Sequence, residues 1–437
     1  MNAGAAGHDV MIVGGGPAGS VLARRLAMEQ VRVLLLAGPS PGGTEGVSRR
    51  TRDLLAMEGL DGALDILRGP VPRSGLWGSG RVISGSEWLV DRSLLAARLR
   101  AAAHASGADV VDGIAATTIR DAAGFRVVTR AGDCYQAPLL VDARGRRGRE
   151  RRGPRLVAIG QNFVTRRMDL ARATQVHILA DGWCWLVTEP GNVWVQLVGA
   201  PRRQPLRNGL AAACDALPQL RAVLEAAEPT AAATVRPAHA RLGPAGCDLA
   251  RWRVGDAAYA TDPLSGQGIY HALCSARAVA AALNSVLAGI AAALAQRFIA
   301  ELHERMWHRS VTVAAAFYRE AAAAGPFWTQ TADAYASLIP VAGATPPAIE
   351  TRPVLDSGRI REQRVCVTAA QPQGVWHVDG VALAPLMDYL QATESASIVG
   401  AAAALVRPPT AVATAVRWLH TAGALPMPGA ASISAGD

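Results

Sequence analysis

The chain contains no lysine: all 44 of its basic residues are arginine. This excludes every mechanism that needs a lysine amine, among them Schiff-base catalysis, P-loop nucleotide hydrolysis and the protein-kinase reaction. Cysteine is scarce, six in 437 residues, and no two are spaced as CxxC. A disulfide scaffold and a zinc finger are thereby excluded, and a cytoplasmic protein with reduced thiols is expected. Charged residues make up only 18% of the chain against 50% apolar, which excludes general disorder. No basic region precedes the first apolar run, so no signal peptide is expected. The longest uncharged stretch, Ala278 to Gln296, is mostly alanine and is broken by Asn284, Ser285 and Gly289. Alanine gains little in lipid, so a buried helix is expected there and no membrane span.

The formal net charge is +9, and part of it is concentrated. Arg144, Arg146, Arg147, Arg149, Arg151, Arg152 and Arg155 stand against Glu150 alone. Such a cluster is either a solvated loop or a docking surface for an acidic protein. No helix-turn-helix, RNP-type or zinc pattern adjoins it, so no nucleic-acid partner is expected.

What is present is most specific near the start. Asp9 to Val13 is a short apolar run of strand type, and Gly14-Gly15-Gly16-Pro17-Ala18-Gly19 follows at once. Ser20 to Glu29 has helical spacing, and Val31 to Leu36 reads as a second buried strand. In this context Gly14 permits the tight turn, Gly16 lets backbone approach a pyrophosphate, and Gly19 lets helix pack on strand. The helix N-terminus, with Pro17 and Ala18, faces the phosphates with free N–H groups. One position departs from the pattern: the second strand ends in Ala37-Gly38, where Asp or Glu usually holds the adenosine ribose. Glu45 is the nearest acid in sequence.

A second motif lies at Val254 to Cys274, VGDAAYATDPLSGQGIYHALC. Gly255-Asp256 forms a strand's exit turn, and Asp256 can accept from sugar-alcohol hydroxyls. Pro263 to Gly268 is a loop opening a helix, whose glycines let backbone N–H groups address a flat anionic group. Between the motifs, alternating runs such as Trp194-Val195-Gln196-Leu197-Val198 indicate an antiparallel sheet.

Over roughly residues 8–330 the chain resembles the FAD-dependent monooxygenases of the para-hydroxybenzoate hydroxylase fold and their halogenase and geranylgeranyl reductase cousins. The resemblance rests on GGGPAG at 14–19, DR at 91–92, DARGR at 142–146 and GDAAYATDPLSGQG at 255–268. It implies an α/β fold: a Rossmann-type FAD-binding domain at 1–155 and 243–345, with an inserted antiparallel substrate domain at 156–242. It further implies that Asp256 binds the ribityl chain, Arg92 sits near the flavin, and Pro263 lies against the isoalloxazine. Gly266, Gln267 and Gly268 would stabilise negative charge on the flavin, and NADH or NADPH would visit as reductant. His239, His271 and Glu189 are candidate bases. No metal is implied.

Gly182-Trp183-Cys184-Trp185-Leu186-Val187 is similar to the paired-tryptophan motif of flavin-dependent halogenases, but Leu186-Val187 replaces its Ile-Pro ending. Those enzymes also need a lysine, so halogenation is not expected. Trp183 and Trp185 read either as a sheet face or as a substrate wall. Beyond Thr345-Pro346-Pro347, Arg364 to Thr368 and Gly374 to Val378 read as a hairpin. Helical stretches follow at Leu383–Gln391, Ser397–Val406 and Thr410–Thr421. This small α+β domain, 350–426, resembles winged helices that hold leader peptides; a dimerisation appendage is the alternative. The combination resembles the flavoproteins that hydroxylate a tryptophan in the small subunit of quinohemoprotein amine dehydrogenase during tryptophylquinone formation. An acidic protein partner is then expected. A hydroxylase of a small aromatic metabolite and a peptide-binding chaperone with a vestigial flavin site are the alternatives.

Overall fold

The computed structural model describes residues 7–40, 42–78, 80–146, 151–201, 214, 217–225, 227–244, 248–340, 346–393 and 396–425. Arg147, Arg149 and Glu150 of the arginine cluster, and Thr345 of the linker, lie outside the described residues. The chain divides into two compact units, 1–280 with 302–339, and 281–301 with 340–437.

The first unit is built on a five-stranded parallel sheet. Its order is Arg251–Arg253, Leu139–Asp142, Val10–Val13 (β1), Val33–Ala37 (β2) and Asp109–Asp112. Every residue of β1 and β2 is buried, as a strand covered on both faces requires, and this explains their unbroken apolar runs. Helix α1, Pro17–Met28, connects the two. A meander of Ala115–Asp121, Gly124–Thr129 and Cys134–Ala137 follows the fifth strand.

A second, larger sheet carries strands from two parts of the chain. Val157–Thr165, Asn192–Gly199, Gly182–Glu189 and Ala173–Leu179 form its antiparallel centre, the region of alternating residues. Ala173–Leu179 then pairs in parallel with Arg68–Trp77, which leads to Arg81–Asp91 and Thr44–Val47. The sheet therefore also draws on 44–91, a stretch whose strands the sequence pattern does not separate. Against it pack the helices Ala292–Glu320 and Pro326–Ala336, through an aromatic cluster of Trp77, Trp183, Trp185, Trp307, Tyr318, Trp328 and Tyr335. The indole N–H groups of Trp77 and Trp328 donate to the carbonyls of Phe317 and Leu179, at 3.0 and 2.8 Å.

The second unit holds a hairpin of Ala348–Asp356 and Arg359–Val367. Ser357 and Gly358 close it, both with positive φ (50° and 78°), a two-residue turn that matches strand twist. This corrects the expected hairpin: between 364–368 and 374–378 there is a single bridge, Cys366 to Val375. The helices Leu383–Ala392, Ile398–Leu405 and Pro409–Thr421 fall within a residue or so of their sequence limits. Val381, Leu386, Val412, Val416 and Leu419 form this unit's own core. The uncharged stretch 278–296 is broken where helix Gly268–Leu287 ends, with Gly289 at φ 97°. Among the described residues no single helix is long and apolar enough to cross a membrane.

Candidate active site

The first glycine motif folds as its spacing requires. Gly14 has φ 121°, and a Cβ there would lie 2.4 Å from the Ala143 carbonyl oxygen. A Cβ on Gly19 would lie 2.0 Å from the Gly14 oxygen. Gly16 is different: nothing of the protein stands within 4 Å of its Cβ position. It is also the N-cap of α1 and has no side-chain cap, so the first helical N–H groups are left for a ligand.

The second motif meets the first directly. Gly255 has φ 59°, and a Cβ on it would come within 2.5 Å of the Ala18 Cβ. Two segments far apart in sequence thus form one floor. Asp256 follows, one-third exposed, and accepts from Arg146 Nε at 3.0 Å. Arg146 also donates to the carbonyls of His239 and Thr261, at 2.7 and 3.0 Å. Arg144 grips Asp142 with Nε and Nη2, at 3.0 and 2.8 Å. Burial opposes ionisation of Asp142, yet the Arg144 bonds and charge hold it below the usual carboxylate range. These two arginines of the 144–155 cluster are therefore internal braces, not docking groups.

Asp262 organises the loop that follows. It is 2% exposed, caps the turn by accepting from Leu264 N, and accepts from Tyr335 and Tyr318 hydroxyls at 2.6 and 3.3 Å. Burial pushes its carboxyl up to about 6. Pro263–Ser265 is a single tight turn, Gly266 has φ 60°, and Gly268 opens the helix Gly268–Leu287. Nothing lies within 4 Å of a Cβ on Gly268, and only Arg73 Nη1, at 3.9 Å, near one on Gly266.

Beside this loop is a cavity of about 920 Å³. Leu264, Ser265, Gln267 and His271 line it from the motif, Arg73 and Trp77 from the sheet, and Met306 and Phe317 from a helix. Gln267 Oε1 and Arg73 Nε are buried with no hydrogen-bond partner, as expected of groups awaiting a polar ligand. His271 Nδ1 shares a 3.1 Å hydrogen bond with the Tyr259 hydroxyl. Burial brings His271 down to about 4, so the ring is neutral at neutral pH. Burial likewise raises Tyr259, which stays protonated. The residues fit a flavin dinucleotide: an uncapped helix end, open backbone at Gly16 and Gly268, and a carboxylate at Asp256.

The comparisons agree with this geometry. Residues 12–53 match the family model of the NAD(P)-binding Rossmann-like domain. Comparison with curated protein sequences gave no match. Among solved structures, the chain is similar to QhpG, a peptidyl tryptophan dihydroxylase essential for tryptophylquinone cofactor biogenesis. The identity is 31% and the TM-score 0.81, over 96% of this chain and all of that one. The chain belongs to the same family of flavin-dependent monooxygenases. Two further structures share its fold. The flavin-dependent halogenase CmlS matches at 17% identity and TM-score 0.73, over 95% of each chain. Aklavinone-11 hydroxylase, solved with FAD and aklavinone, matches at 19% and 0.58, over 72% of this chain and 70% of that one.

The enzyme's cofactor is accordingly FAD. Of the expected base candidates only His271 reaches the cavity wall. Glu189 is buried on the large sheet, with its oxygens held by Arg68 at 3.1 and 3.2 Å and Arg172 at 3.0 Å. His239 is part-buried and offers its carbonyl to Arg146. Trp183 and Trp185 are 3% and 9% exposed, and neither lines the cavity; the Trp183 N–H donates to Tyr318 at 3.3 Å. They are core residues because strand Gly182–Glu189 is covered on both faces. Arg92 begins a helix and pairs with Glu45 at 2.9 Å. Glu45 is thus engaged, while Arg100 occupies the space beside Ala37 and donates to the Gly15 carbonyl at 3.4 Å. Arg73 and Asp262 were not singled out from sequence, and Arg146 only as a member of the basic cluster and of the DARGR stretch; the adjacency of Asp262 to Pro263 hinted at a role.

Proposed function

We propose that the enzyme hydroxylates a tryptophan side chain within a protein or peptide partner, as a step towards a tryptophylquinone cofactor. The observation that carries this reading is the likeness to the peptidyl tryptophan dihydroxylase, which extends through the C-terminal unit to 96% of the chain. That unit adds to a flavin site already complete without it, and its role here is to hold the macromolecular substrate. The partner of this reading is an acidic subunit of the amine dehydrogenase type.

FAD, when bound, supplies the activation of dioxygen. One oxygen atom enters the ring and the other leaves as water, with two electrons from NADH or NADPH. The protein's part is to bind, orient and exclude water. Gly16 and the start of α1 would take the pyrophosphate, and Asp256, fixed by Arg146, would take the ribityl hydroxyls. Gly268 would present its backbone N–H where negative charge develops, while the Gly266 N–H is donated to the Pro263 carbonyl at 3.0 Å and the Gln267 N–H to the Ser265 hydroxyl at 3.4 Å, bonds that shape the loop. Pro263, which opens the tight turn, would border the flavin ring. An indole carbon is nucleophilic enough to react without prior deprotonation. A second hydroxylation, on a phenolic ring, benefits from a base; His271, neutral on the wall, would accept a hydrogen bond from that hydroxyl, its buried ring being too weak a base to take the proton outright.

The test is reductant-driven oxygen consumption with three substrates: free tryptophan, a small phenol and a tryptophan-bearing peptide or subunit. Coupled turnover of the macromolecule alone supports the reading. Equal turnover of free tryptophan contradicts it.

A further inference from the structure

The cavity beside the flavin loop is unbalanced in charge. Arg50, Arg73, Arg81 and Arg309 line it, and among the described residues no aspartate or glutamate does. Two of these guanidinium groups have carboxylate partners behind them: Arg73 lies 3.7 Å from Glu87, and Arg81 lies 2.7 Å from Glu320. The other two do not. Arg50 sits over the Tyr270 ring, 4.6 Å from its centroid, and donates to its hydroxyl at 3.1 Å. Arg309 is exposed, and no carboxylate comes within ion-pair distance of either group among the described residues. Both act on His271, which burial holds neutral; the Asp256 charge opposes this and the Arg50 and Arg309 charges favour it. The wall around them is mixed, with Trp77, Met306 and Phe317 beside the polar Ser84, Ser86 and Ser310. A slot with aromatic walls edged by two uncompensated cations suits a flat ring with an anion next to it.

We propose that Arg50 and Arg309 form a carboxylate-reading pair, and that the substrate carries an aspartate or glutamate beside its target tryptophan. This rests on the peptidyl-substrate reading above, and it moves recognition of acidic groups from the 144–155 segment to the cavity itself. Guanidinium forks match carboxylates in geometry, and because Arg50 and Arg309 are both exposed the contact is expected to weaken with added salt. Free tryptophan has a carboxylate of its own, but the ammonium beside it offsets the attraction to two cations. Arg50 and Arg309 are therefore specificity-determining residues and not catalytic ones.

The experiment uses the FAD-loaded protein and two labelled synthetic peptides, tryptophan flanked by aspartate and the same peptide with asparagine. Fluorescence anisotropy at low ionic strength gives each affinity, for the parent and for Arg50→Gln/Arg309→Gln. The aspartate peptide is expected to bind about tenfold more tightly to the parent. In the double variant the gap closes while the flavin spectrum is unchanged. The peptide pair alone tests the proposal should the variant misfold. Equal binding of both peptides to the parent overturns the proposal and leaves the peptidyl reading standing. Failure of both to bind, with free tryptophan hydroxylated, removes the peptidyl reading and the proposal together. A gap that survives in the variant while NADPH binding weakens assigns the arginines to the reductant and overturns the proposal.

Discussion

Arg146 donates its Nε–H to the Asp256 carboxylate at 3.0 Å and spends its two other nitrogens on the carbonyls of His239 and Thr261. One side chain of the basic cluster thus fixes the carboxylate assigned to the ribityl chain. Arg146→Gln removes a charge-assisted bond, a class worth about 1.5–3 kcal/mol. FAD affinity is expected to fall at least tenfold, close to the effect of Asp256→Ala. Titration of the apoprotein by flavin fluorescence measures both; an unchanged dissociation constant for either contradicts the role given to Asp256.

Two glycines separate binding from folding. Gly16→Ala places a methyl where no protein atom lies within 4 Å, so the fold is kept while the phosphate approach narrows. Its Tm without cofactor should match the parent, and its FAD affinity should drop. Gly255→Ala instead brings a methyl 2.5 Å from the Ala18 Cβ at φ 59°. It should destabilise the apoprotein by about 1–3 kcal/mol, read by denaturant unfolding.

His303 gives a pH signature. It is buried, shares a 2.9 Å hydrogen bond with Ser275 Oγ, and burial brings it down to about 4 from an ordinary 6.5. The folded protein binds this proton less readily than the unfolded chain. The stability is therefore complete above pH 6.5 and is lost as pH falls towards 4. At pH 5 the loss amounts to about 2 kcal/mol. Thermal unfolding at pH 7 and pH 5 should show a smaller drop for His303→Gln than for the parent.

Much of this was legible because backbone chemistry leaves marks in sequence. Gly14, Gly19 and Gly255 are demanded by close approach within the protein and Gly16 by the approach of a ligand, and a reader of sequence meets them as glycines. The helices of the C-terminal unit announced themselves by spacing and by Pro408-Pro409. The environment of a polar side chain leaves no such mark. Glu189 looks like any acid until Arg68 and Arg172 are seen on it. Trp183 and Trp185 carried a motif-like spacing that the aromatic core fully accounts for. The hairpin 348–367 is obscured in sequence by Pro353 inside its first strand, since proline argues against a paired strand.

With no lysine in the chain, halide should not enter any product. Turnover in the presence of bromide, followed by mass spectrometry, should show oxygen insertion only. A brominated tryptophan contradicts the assignment of the chemistry.

The most direct test supplies the FAD-loaded enzyme with NADH or NADPH, isotopically heavy dioxygen and the tryptophan-bearing subunit. Peptide mass spectrometry then locates the label. Heavy oxygen on a tryptophan ring of the subunit, absent when reductant or FAD is withheld, is the predicted result. An unlabelled subunit, with label appearing only in free tryptophan or a small phenol, contradicts peptidyl hydroxylation.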